Sequence, residues 1–314
     1  MKILITGGAG FIGFYLAKYY TKKHHDVTII DNLYRGNMDK DLKMLLDNKN
    51  IEFINHNLTE TIYDIGYNYD IVFHLAAVNG TRNFYEHPYD TSKINLLSLF
   101  NIIDYCKKNN KNCKFIFTSS SEVYACEHDK KIPTDENVRL VIDDIFNPRF
   151  SYATSKIAGE SIVLNCGLNS IIIRPHNIYG PRMGTGHVIP ENILKLKNIK
   201  QKKYEYLKIQ GDGSETRSFC YIDDMIKAID IITRHGKIKE IYNIGSDKEI
   251  LILDLIKKIM KLMNVKTRII TSKPMIGSTN RRCADITRIK KLGYRPIVDL
   301  DDGLIRTIRW YEKI

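Results

Sequence analysis

The sequence lacks the marks of several protein classes. Its six cysteines form no C-x-x-C pair and no Cys/His cluster with the spacing of zinc ligands, so no metal site is expected. No apolar run reaches the ~18 residues that a membrane-spanning helix needs, and there is no low-complexity segment or short internal repeat. A strand pattern begins at Lys2, so we expect no signal peptide. These absences favour a reduced, cytoplasmic protein without a membrane partner.

Acidic residues are the scarcer charged group, with 36 Asp and Glu against 48 Lys and Arg, which gives a net charge of +12. The lysines are scattered over predicted helix faces and turns, without the interleaved aromatics or motifs of a nucleic-acid surface. We therefore expect no nucleic acid partner, and we interpret the excess as a solvated surface that also favours an anionic substrate. A chain of 314 residues, 43% of them apolar, suffices for one large domain or two coupled ones.

The most informative stretch is the first turn, where an apolar strand at 3–5 leads through glycines into a helix. Gly7, Gly10 and Gly13 have the spacing G-x-x-G-x-x-G. The first glycine permits a tight turn, the second lets the backbone approach a pyrophosphate, and the third lets the helix pack closely on the strand. The N–H groups at the start of this helix favour phosphate oxygens. The pattern predicts a dinucleotide-binding loop.

A carboxylate stands where such a loop requires one. The second predicted strand, 27–30, ends in Asp31, about 20 residues beyond the glycines. There Asp31 would accept hydrogen bonds from the hydroxyls of the adenosine ribose, and it would repel a 2′-phosphate. The sequence thus favours NAD over NADP as the cofactor.

Further short apolar runs bounded by polar turns predict a parallel sheet with helices on both faces. Strands are expected at 51–54, 70–75, 114–118 and 170–174, and a strand at 240–244 is expected to rejoin the sheet. The fold class is α/β, with a doubly wound parallel sheet of the Rossmann type and a smaller C-terminal substrate-binding α/β cap domain. The predicted NAD-binding domain comprises 1–175 with a returning segment near 218–245, and the predicted substrate-binding domain comprises 176–217 and 246–314.

Two predicted helices, 91–108 and 151–165, are expected to contact a second copy of the chain. The first carries apolar residues on more than one face, and such a helix needs cover beyond its own sheet. The second adds Ile157, Ala158, Ile162, Val163 and Leu164. We expect the two helices to pair with those of a partner in a four-helix bundle, which would make the protein a homodimer.

Tyr152 and Lys156 are four residues apart and therefore lie on one face of a predicted helix. A lysine beside a phenol favours the phenolate, which would lower the tyrosine pKa from ~10 toward the range of a general base. Such a base takes the proton from a sugar hydroxyl as hydride leaves its carbon, and the lysine can also bond the nicotinamide ribose. The serines at 119–121, which follow the strand at 114–118, strengthen this interpretation.

In this order, the residues resemble the extended short-chain dehydrogenases/reductases that modify nucleotide sugars, the NAD-dependent epimerase/dehydratase group. The resemblance covers nearly the whole chain. Its motifs are Thr6–Gly13, Asp31 with Asn32, His74–Ala77, Ser119–Tyr124, Tyr152 with Lys156, Arg174–Pro181, Gly211–Arg217 and Arg282–Asp285.

The resemblance implies a role for each matching residue. Ser120 would bond the 4-hydroxyl of the sugar, with Tyr152 as the base, Lys156 as its partner and Glu122 as a further catalytic group. The implied NAD contacts are Gly7, Gly10, Phe11, Ile12, Gly13, Asp31, Asn32, Asn57, Leu58, Leu75, Ala76, Ala77, Tyr152 and Lys156. The implied contacts to the nucleotide diphosphate sugar are Ser120, Ser121, Asn177, Val188, Arg217 and Arg282. Asn57 departs from the family, which more often has Asp at that position.

By the same resemblance, the reaction begins with oxidation at C4 by tightly held NAD, and the triplet Ser120-Ser121-Glu122 bears on the step that follows. Dehydratases that act on thymidine-linked glucose resemble Thr-Asp-Glu here, so Ser121 disfavours that substrate. Dehydratases of GDP-mannose and decarboxylases of UDP-glucuronate resemble Thr-Ser-Glu. Glu122 would then abstract a C5 proton or assist next to the keto sugar, or it would only fix the loop.

C4-epimerisation ranks first among the reactions, because a serine-rich triplet suits a site with little chemistry beyond hydride transfer. A nucleotide-sugar 4,6-dehydratase, a decarboxylase of a UDP-hexuronic acid and a net 4-dehydrogenase stay open. A non-catalytic, dinucleotide-binding scaffold is a more remote alternative. Its hallmark would be the loss of the tyrosine or the lysine, and both are present.

Overall fold

A computed structural model describes residues 1–63, 65–66, 68–129, 131–273 and 279–314. The chain forms two compact units. The first comprises Met1–Val123, Asp144–Pro175 and Ile226–Tyr242, and the second comprises Tyr124–Asp143, His176–Met225 and Asn243–Ile314. Residues 124–143, 218–225 and 243–245, which the sequence prediction placed in the NAD-binding domain, thus belong to the second unit. The assignment of the units to cofactor and to substrate stays a prediction.

The strands and helices follow one another along most of the described chain. The strands are β1 (Lys2–Thr6), β2 (Asp26–Asp31), β3 (Ile51–Asn55), β4 (Ile71–His74), β5 (Lys114–Thr118), β6 (Asn169–Pro175), β7 (Ile178–Tyr179), β8 (Leu207–Lys208), β9 (Thr216–Ser218), β10 (Cys220–Tyr221), β11 (Ile241–Ile244), β12 (Glu249–Leu251), β13 (Ile269–Ile270) and β14 (Arg281–Arg282). The helices are α1 (Phe11–Lys22), α2 (Lys40–Leu46), α3 (Thr81–Glu86), α4 (Pro88–Asn109), α5 (Phe150–Asn165), α6 (Val188–Lys200), α7 (Ile222–His235), α8 (Ile252–Leu262), α9 (Thr287–Lys290) and α10 (Leu300–Lys313). A 3-10 helix covers Ser121–Asp129.

A seven-stranded sheet with the order β11-β6-β5-β4-β1-β2-β3 forms the centre of the first unit. Strand β1 pairs in parallel with β2 on one side and β4 on the other, so the chain reverses its direction of strand addition at β1. Ligands of such sheets bind at the carboxyl ends of the strands beside this reversal. Ile3, Leu4 and Ile5 are fully buried, as expected for a sheet covered on both faces. The predicted α/β fold and the return of β11 to the sheet are confirmed.

Helices α4 and α5 pack side by side in the first unit. Their inner faces contribute Leu99, Ile102 and Val163 to the core below the sheet. On the outer side of α4, Leu97 and Phe100 stay exposed. This arrangement agrees with the prediction that the apolar residues of this helix lie on more than one face.

The second unit combines short sheets with helices α6, α8 and α10. Strand β9 lies between β12 and β14, pairing antiparallel with β12 and parallel with β14. Helix α10 packs on α6 and α8. Across the described residues of both units, no helix is long and apolar enough to cross a membrane.

Candidate active site

The glycine loop after β1 has the shape that the sequence predicts. Gly7 has a φ of +72°, and a Cβ there would lie 2.8 Å from the backbone nitrogen of Ala76. A Cβ on Gly13 would lie 2.3 Å from the carbonyl oxygen of Gly7, so α1 can approach the loop only with glycine at this position. Gly10 is the N-cap of α1, and Phe11 and Ile12 are its first two residues. The loop therefore presents the start of a helix at the carboxyl end of β1, where a pyrophosphate can approach it.

Asp31 holds the loop in addition to its predicted contact with the ribose. Its carboxylate accepts hydrogen bonds from the backbone nitrogens of Ala9, at 3.1 Å, and Leu33, at 2.8 Å. Burial raises the pKa of Asp31 above its usual range, and the two backbone hydrogen bonds oppose this shift. Asn32 is exposed and accepts a hydrogen bond from the backbone nitrogen of Tyr34. The contacts of Asp31 and Asn32 with the cofactor remain predictions.

The remaining predicted cofactor residues lie after β3 and β4. Leu75, Ala76 and Ala77 are half-buried and follow β4 directly, and the backbone nitrogen of Leu75 donates to the carbonyl oxygen of Thr6 at 3.2 Å. The side chain of Asn57 accepts a hydrogen bond from the backbone nitrogen of Thr59 and so closes a local turn. Leu58 belongs to the hydrophobic core, which leaves its backbone as the part available to an adenine. No observation here tests these contacts, and they stay predictions.

Tyr152 is buried in α5 and held on three sides. Its hydroxyl adjoins the side chains of Ser120 and Asn79, both of which favour the phenolate, and its ring stacks on Phe84 with the centroids 5.0 Å apart. Asn79 and Phe84 were not among the predicted site residues. The segment that follows His74–Ala77 was a signal for them, since any residue there lies at the carboxyl edge of the sheet beside the dinucleotide loop.

The predicted lowering of the tyrosine pKa by Lys156 is wrong for this structure. Burial raises the pKa of Tyr152 to about 12, and the hydrogen bonds from Ser120 and Asn79 oppose this rise only in part. The Nζ atom of Lys156 donates instead to the carbonyl oxygen of Thr118 at 2.8 Å. Burial also lowers the pKa of Lys156 to about 7, so its charge is partly lost at neutral pH. The four-residue spacing predicted that Tyr152 and Lys156 share a helix face. It could not predict that burial removes water from both side chains and shifts both pKa values.

The loop between β5 and the 3-10 helix places Ser120 and Glu122 together. The backbone nitrogen of Glu122 donates to the Oγ of Ser120 at 3.1 Å, and Ser121 beside them is buried. The Oε2 atom of Glu122 lies 3.7 Å from the Nη2 atom of Arg149. Arg149 was not predicted as a site residue, although its position three residues before Tyr152 places it on the same turn of α5.

In the second unit, two of the predicted diphosphate ligands occupy paired positions. Arg217 on β9 lies directly opposite Arg282 on β14. The guanidinium of Arg217 donates to the backbone carbonyls of Thr216 and Thr279, and Arg282 is almost fully buried. The two arginines thus occupy the same register position on neighbouring strands, and their contacts with a diphosphate remain predictions.

The other two predicted substrate residues also lie in the second unit. Asn177 has a φ of +41°, and its side chain donates to the carbonyl oxygen of Ser218 at 2.9 Å. Val188 is the first residue of α6 and is half-buried. Asn177 is thus tied to the end of β9, the strand that carries Arg217. The contact of Val188 with the substrate remains a prediction.

His74, at the end of β4, makes the stability of the first unit depend on pH. Burial, aided by the charge of Lys156, lowers the pKa of His74 to about 3. The unfolded chain binds a proton at this residue below pH ~6.5, whereas the folded chain does not, so stability rises with pH between about 3 and 6.5. We expect His74 to remove about 1.4 kcal/mol of unfolding free energy per pH unit below 6.5. Measured by urea unfolding between pH 7 and pH 5, the unfolding free energy should depend less steeply on pH in His74→Gln than in the unmodified protein.

The exposed residue His24 supplies the control for this measurement. His24→Gln should keep the slope of the unmodified protein, because the residue lies at the surface. Equal slopes in the unmodified protein and in His74→Gln would contradict the assignment of the acid sensitivity to His74.

The fold and the dinucleotide loop define a protein of the NAD-binding, extended short-chain dehydrogenase/reductase class. The glycine positions at which a Cβ would clash, and the carboxylate at the end of β2, fit a bound dinucleotide. The chain belongs to the NAD dependent epimerase/dehydratase family, whose model matches residues 3–245. The cofactor is NAD, and the members of the family are NAD-dependent enzymes.

The proteins most similar to this chain include three that carry out different reactions. A dTDP-D-glucose 4,6-dehydratase from Dictyostelium discoideum is 37% identical over 280 residues, which are 83% of this chain and 62% of that protein. The chain therefore spans less than two thirds of this relative. A UDP-N-acetyl-alpha-D-glucosaminuronate decarboxylase from Bacillus cytotoxicus is 32% identical, with 100% of this chain and 98% of that protein aligned.

The third similar protein is a solved structure. It is the UDP-glucuronic acid 4-epimerase from Bacillus cereus in complex with UDP-glucuronic acid and NAD, with a TM-score of 0.86 and 28% identity. The alignment covers 100% of this chain and 99% of that one. The three similar proteins are thus a dehydratase, a decarboxylase and an epimerase. Similarity alone does not distinguish among these three reactions, so the reaction of this chain has to be argued from the chemistry of its site.

Proposed function

We propose that this chain is an NAD-dependent nucleotide-sugar C4-epimerase that works through a 4-keto intermediate. The observation that carries the proposal is the contact of the buried Tyr152 hydroxyl with Ser120, in the same unit as the dinucleotide loop. A phenol and a serine hydroxyl that lie side by side form a place where a sugar hydroxyl can be bound and deprotonated.

In the proposed reaction, Ser120 positions the 4-hydroxyl of the sugar and Tyr152 accepts its proton. When bound, NAD would supply the acceptor for the hydride that leaves C4 and, in its reduced form, the donor for the hydride that comes back. Tyr152 then donates the proton back to the O4 oxygen. Lys156, fixed on the carbonyl oxygen of Thr118, lies with its Nζ atom 5.8 Å from the centre of the Tyr152 ring and supplies positive charge to the phenolate when protonated. Epimerisation requires that the 4-keto sugar present its other face before the hydride returns.

The triplet at the site favours epimerisation over dehydration. A 4,6-dehydratase needs an acid for the departing 6-hydroxyl as well as a base for the C5 proton. Ser121 has no acidic proton at neutral pH, and the Glu122 carboxylate faces a guanidinium. A hydroxyl at this position argues against the dehydration of a thymidine-linked glucose, and epimerisation needs no acid or base beyond the one that serves C4.

A 4,6-dehydratase is the second candidate, and the position of Glu122 is the observation that favours it. The charge of this carboxylate acts on the Tyr152 phenol, and Glu122 follows Ser120 on the same loop, so it is the candidate base for a C5 proton of the bound sugar. Decarboxylation of a hexuronic acid and net 4-dehydrogenation start from the same 4-keto sugar and remain outcomes of the test.

The deciding experiment is mass spectrometry of the purified protein with NAD and a panel of UDP-, GDP-, CDP- and dTDP-sugars that includes a uronic acid. We expect an unchanged product mass with a changed sugar on chromatography. Loss of water would show a dehydratase, and loss of carbon dioxide would show a decarboxylase. Loss of two hydrogens with accumulation of NADH would show a net dehydrogenase. NAD binding without conversion of any sugar would favour the non-catalytic scaffold.

We propose that the Arg217 and Arg282 pair binds the diphosphate of the nucleotide sugar, because guanidinium groups match phosphate oxygens. Arg282→Met is expected to weaken nucleotide diphosphate binding by about 10- to 100-fold, the value of a charge-assisted hydrogen bond. Calorimetry with UDP, GDP, CDP and dTDP measures this loss. The neighbouring Arg281 is exposed and paired with Glu249, so Arg281→Met is the matched control. Equal losses in the two variants would contradict the assignment.

We also propose that a second copy of the chain covers the outer face of α4. Tyr89, Leu97 and Phe100 lie at spacings of eight and three residues and are all exposed. These spacings place them on one stripe of the helix, next to α5, as a four-helix bundle between two copies requires. Light scattering should give twice the chain mass, and a monomer mass at every concentration would refute the dimer.

A further inference from the structure

An ion pair adjoins the proposed general base. The Nη2 atom of Arg149 lies 3.7 Å from the Oε2 atom of Glu122, and the two side chains are 15% and 25% exposed. Arg149 is the N-cap residue of α5, and Tyr152 follows it three residues later. The backbone nitrogen of Glu122 donates to the Oγ of Ser120, and Ser120 adjoins the Tyr152 hydroxyl. The pair thus adjoins the base from its own helix and from the facing loop.

Several elements bring titratable or polar groups to the Tyr152 phenol. Lys156 comes from α5, Ser120 and Glu122 from the loop after β5, Asn79 from the segment after β4, and Arg35 from the turn after β2. Burial is the largest cause of the raised pKa of Tyr152, and the charge of Glu122 raises it further. The hydrogen bonds from Ser120 and Asn79 and the charge of Arg35 act in the opposite direction. Glu122 is thus the charged group that opposes formation of the phenolate.

We propose that Arg149 is a positioning residue that holds the Glu122 carboxylate in an ion pair and compensates the negative charge it would place on Tyr152. Dissolved salt screens half-buried charges less than exposed ones. A cationic side chain in contact with the Glu122 carboxylate can therefore offset its charge where dissolved ions do so poorly. A carboxylate held in an ion pair accepts hydrogen bonds but donates none. The acid–base chemistry of this site is then left to Tyr152.

This inference rests on the proposed role of Tyr152 as the base, but its test reads the protonation of Tyr152 without turnover. The full chain is produced with 3-fluorotyrosine, whose lower intrinsic pKa brings the titration into an accessible pH range. Fluorine NMR then follows the tyrosines, of which the chain has 19. The resonance that disappears in Tyr152→Phe belongs to Tyr152.

We expect Arg149→Gln to raise the pKa of Tyr152 by about one unit, because it removes the guanidinium that pairs with the Glu122 carboxylate. Glu122→Gln should lower the pKa by a similar amount, because it leaves the positive charge of Arg149. The double variant should return to the value of the unmodified protein, and Arg149→Lys should stay close to it. Return in the double variant separates charge compensation from disruption of the loop, since a structural defect would persist.

Three results would overturn the inference. They are an unchanged titration in Arg149→Gln, a shift that persists in the double variant, and a shift of the same size in Arg149→Lys. If Arg149→Gln does not fold, Glu122→Gln alone decides. An unchanged pKa of Tyr152 in Glu122→Gln would show that the Glu122 charge does not act on Tyr152, so that Arg149 would have nothing to compensate. If no sugar of the panel were converted, the proposed function would be refuted. The titration of Tyr152 would still test the ion pair, because it does not require turnover.

Discussion

Tyr152→Phe is expected to lower the rate of the C4 reaction by about 10²- to 10⁴-fold, the contribution of a positioned general acid–base group. The substitution removes only the hydroxyl that meets Ser120 and Asn79. The ring that stacks on Phe84 is kept, so α5 and the dinucleotide loop should be undisturbed. Turnover of the sugar identified by the panel measures catalysis, the affinity for NAD measures the integrity of the dinucleotide loop, and the thermal midpoint measures stability. We expect a large loss only in turnover.

A second buried tyrosine of the same unit provides the control for this variant. Tyr20 in α1 is 1% exposed and stacks against Phe73, away from the predicted catalytic residues. Tyr20→Phe should keep the full rate. Comparable losses in the two variants would show that Tyr152→Phe acts through stability rather than chemistry, and full activity of Tyr152→Phe would exclude it as the base.

Glu160→Gln is expected to destabilise the first unit by about 3–5 kcal/mol, the cost of leaving a buried charge without its partner. The Glu160 carboxylate accepts two hydrogen bonds from Arg174, at 2.8 Å and 2.6 Å, and a third from the Oγ of Ser119 at 2.5 Å. The arginine and glutamate side chains are 2% and 4% exposed. This network ties α5 to the ends of β5 and β6, directly before Ser120. Urea unfolding, followed by circular dichroism, measures the loss.

Two comparisons make this stability prediction specific. The ion pair of Arg82 and Glu86 is largely exposed, so Glu86→Gln should change the unfolding free energy by less than about 1 kcal/mol. Replacing both members of the buried pair, as Glu160→Leu with Arg174→Met, should cost less than Glu160→Gln alone, because no charge is left buried. Equal stability of Glu160→Gln and Glu86→Gln would contradict the argument.

Much of the fold could be predicted from local pattern. Strands buried on both faces are short apolar runs between polar turns, and β3, β5 and β6 lie where such runs were expected. Helices α4 and α5 were likewise anticipated from their apolar periodicity. The division into units was less accessible, because 124–143 carries no compositional boundary and its membership of the second unit depends on packing with distant segments.

The site shows the same contrast. Gly7, Gly13 and Asp31 were found from the sequence, because their roles depend on backbone conformation and spacing within one β-α-β unit. Asn79, Phe84 and Arg149 were missed, because each reaches Tyr152 or its loop only after separate strands have been brought together. The spacing of motifs along the chain does not indicate which side chains from separate strands and loops come into contact.

The sequence by itself determined the α/β fold, the NAD-binding loop and the family, since these follow from local periodicity and from glycines that satisfy local steric limits. Only the tertiary structure decided the electrostatics of the base. Desolvation depends on everything packed around a group, and it raised the pKa of Tyr152 to about 12 and lowered that of Lys156 to about 7. The pairing of Arg149 with Glu122, and of Arg217 with Arg282, was likewise decided by strand and loop placement. Charges that are distant in the chain interact only where folding places them side by side.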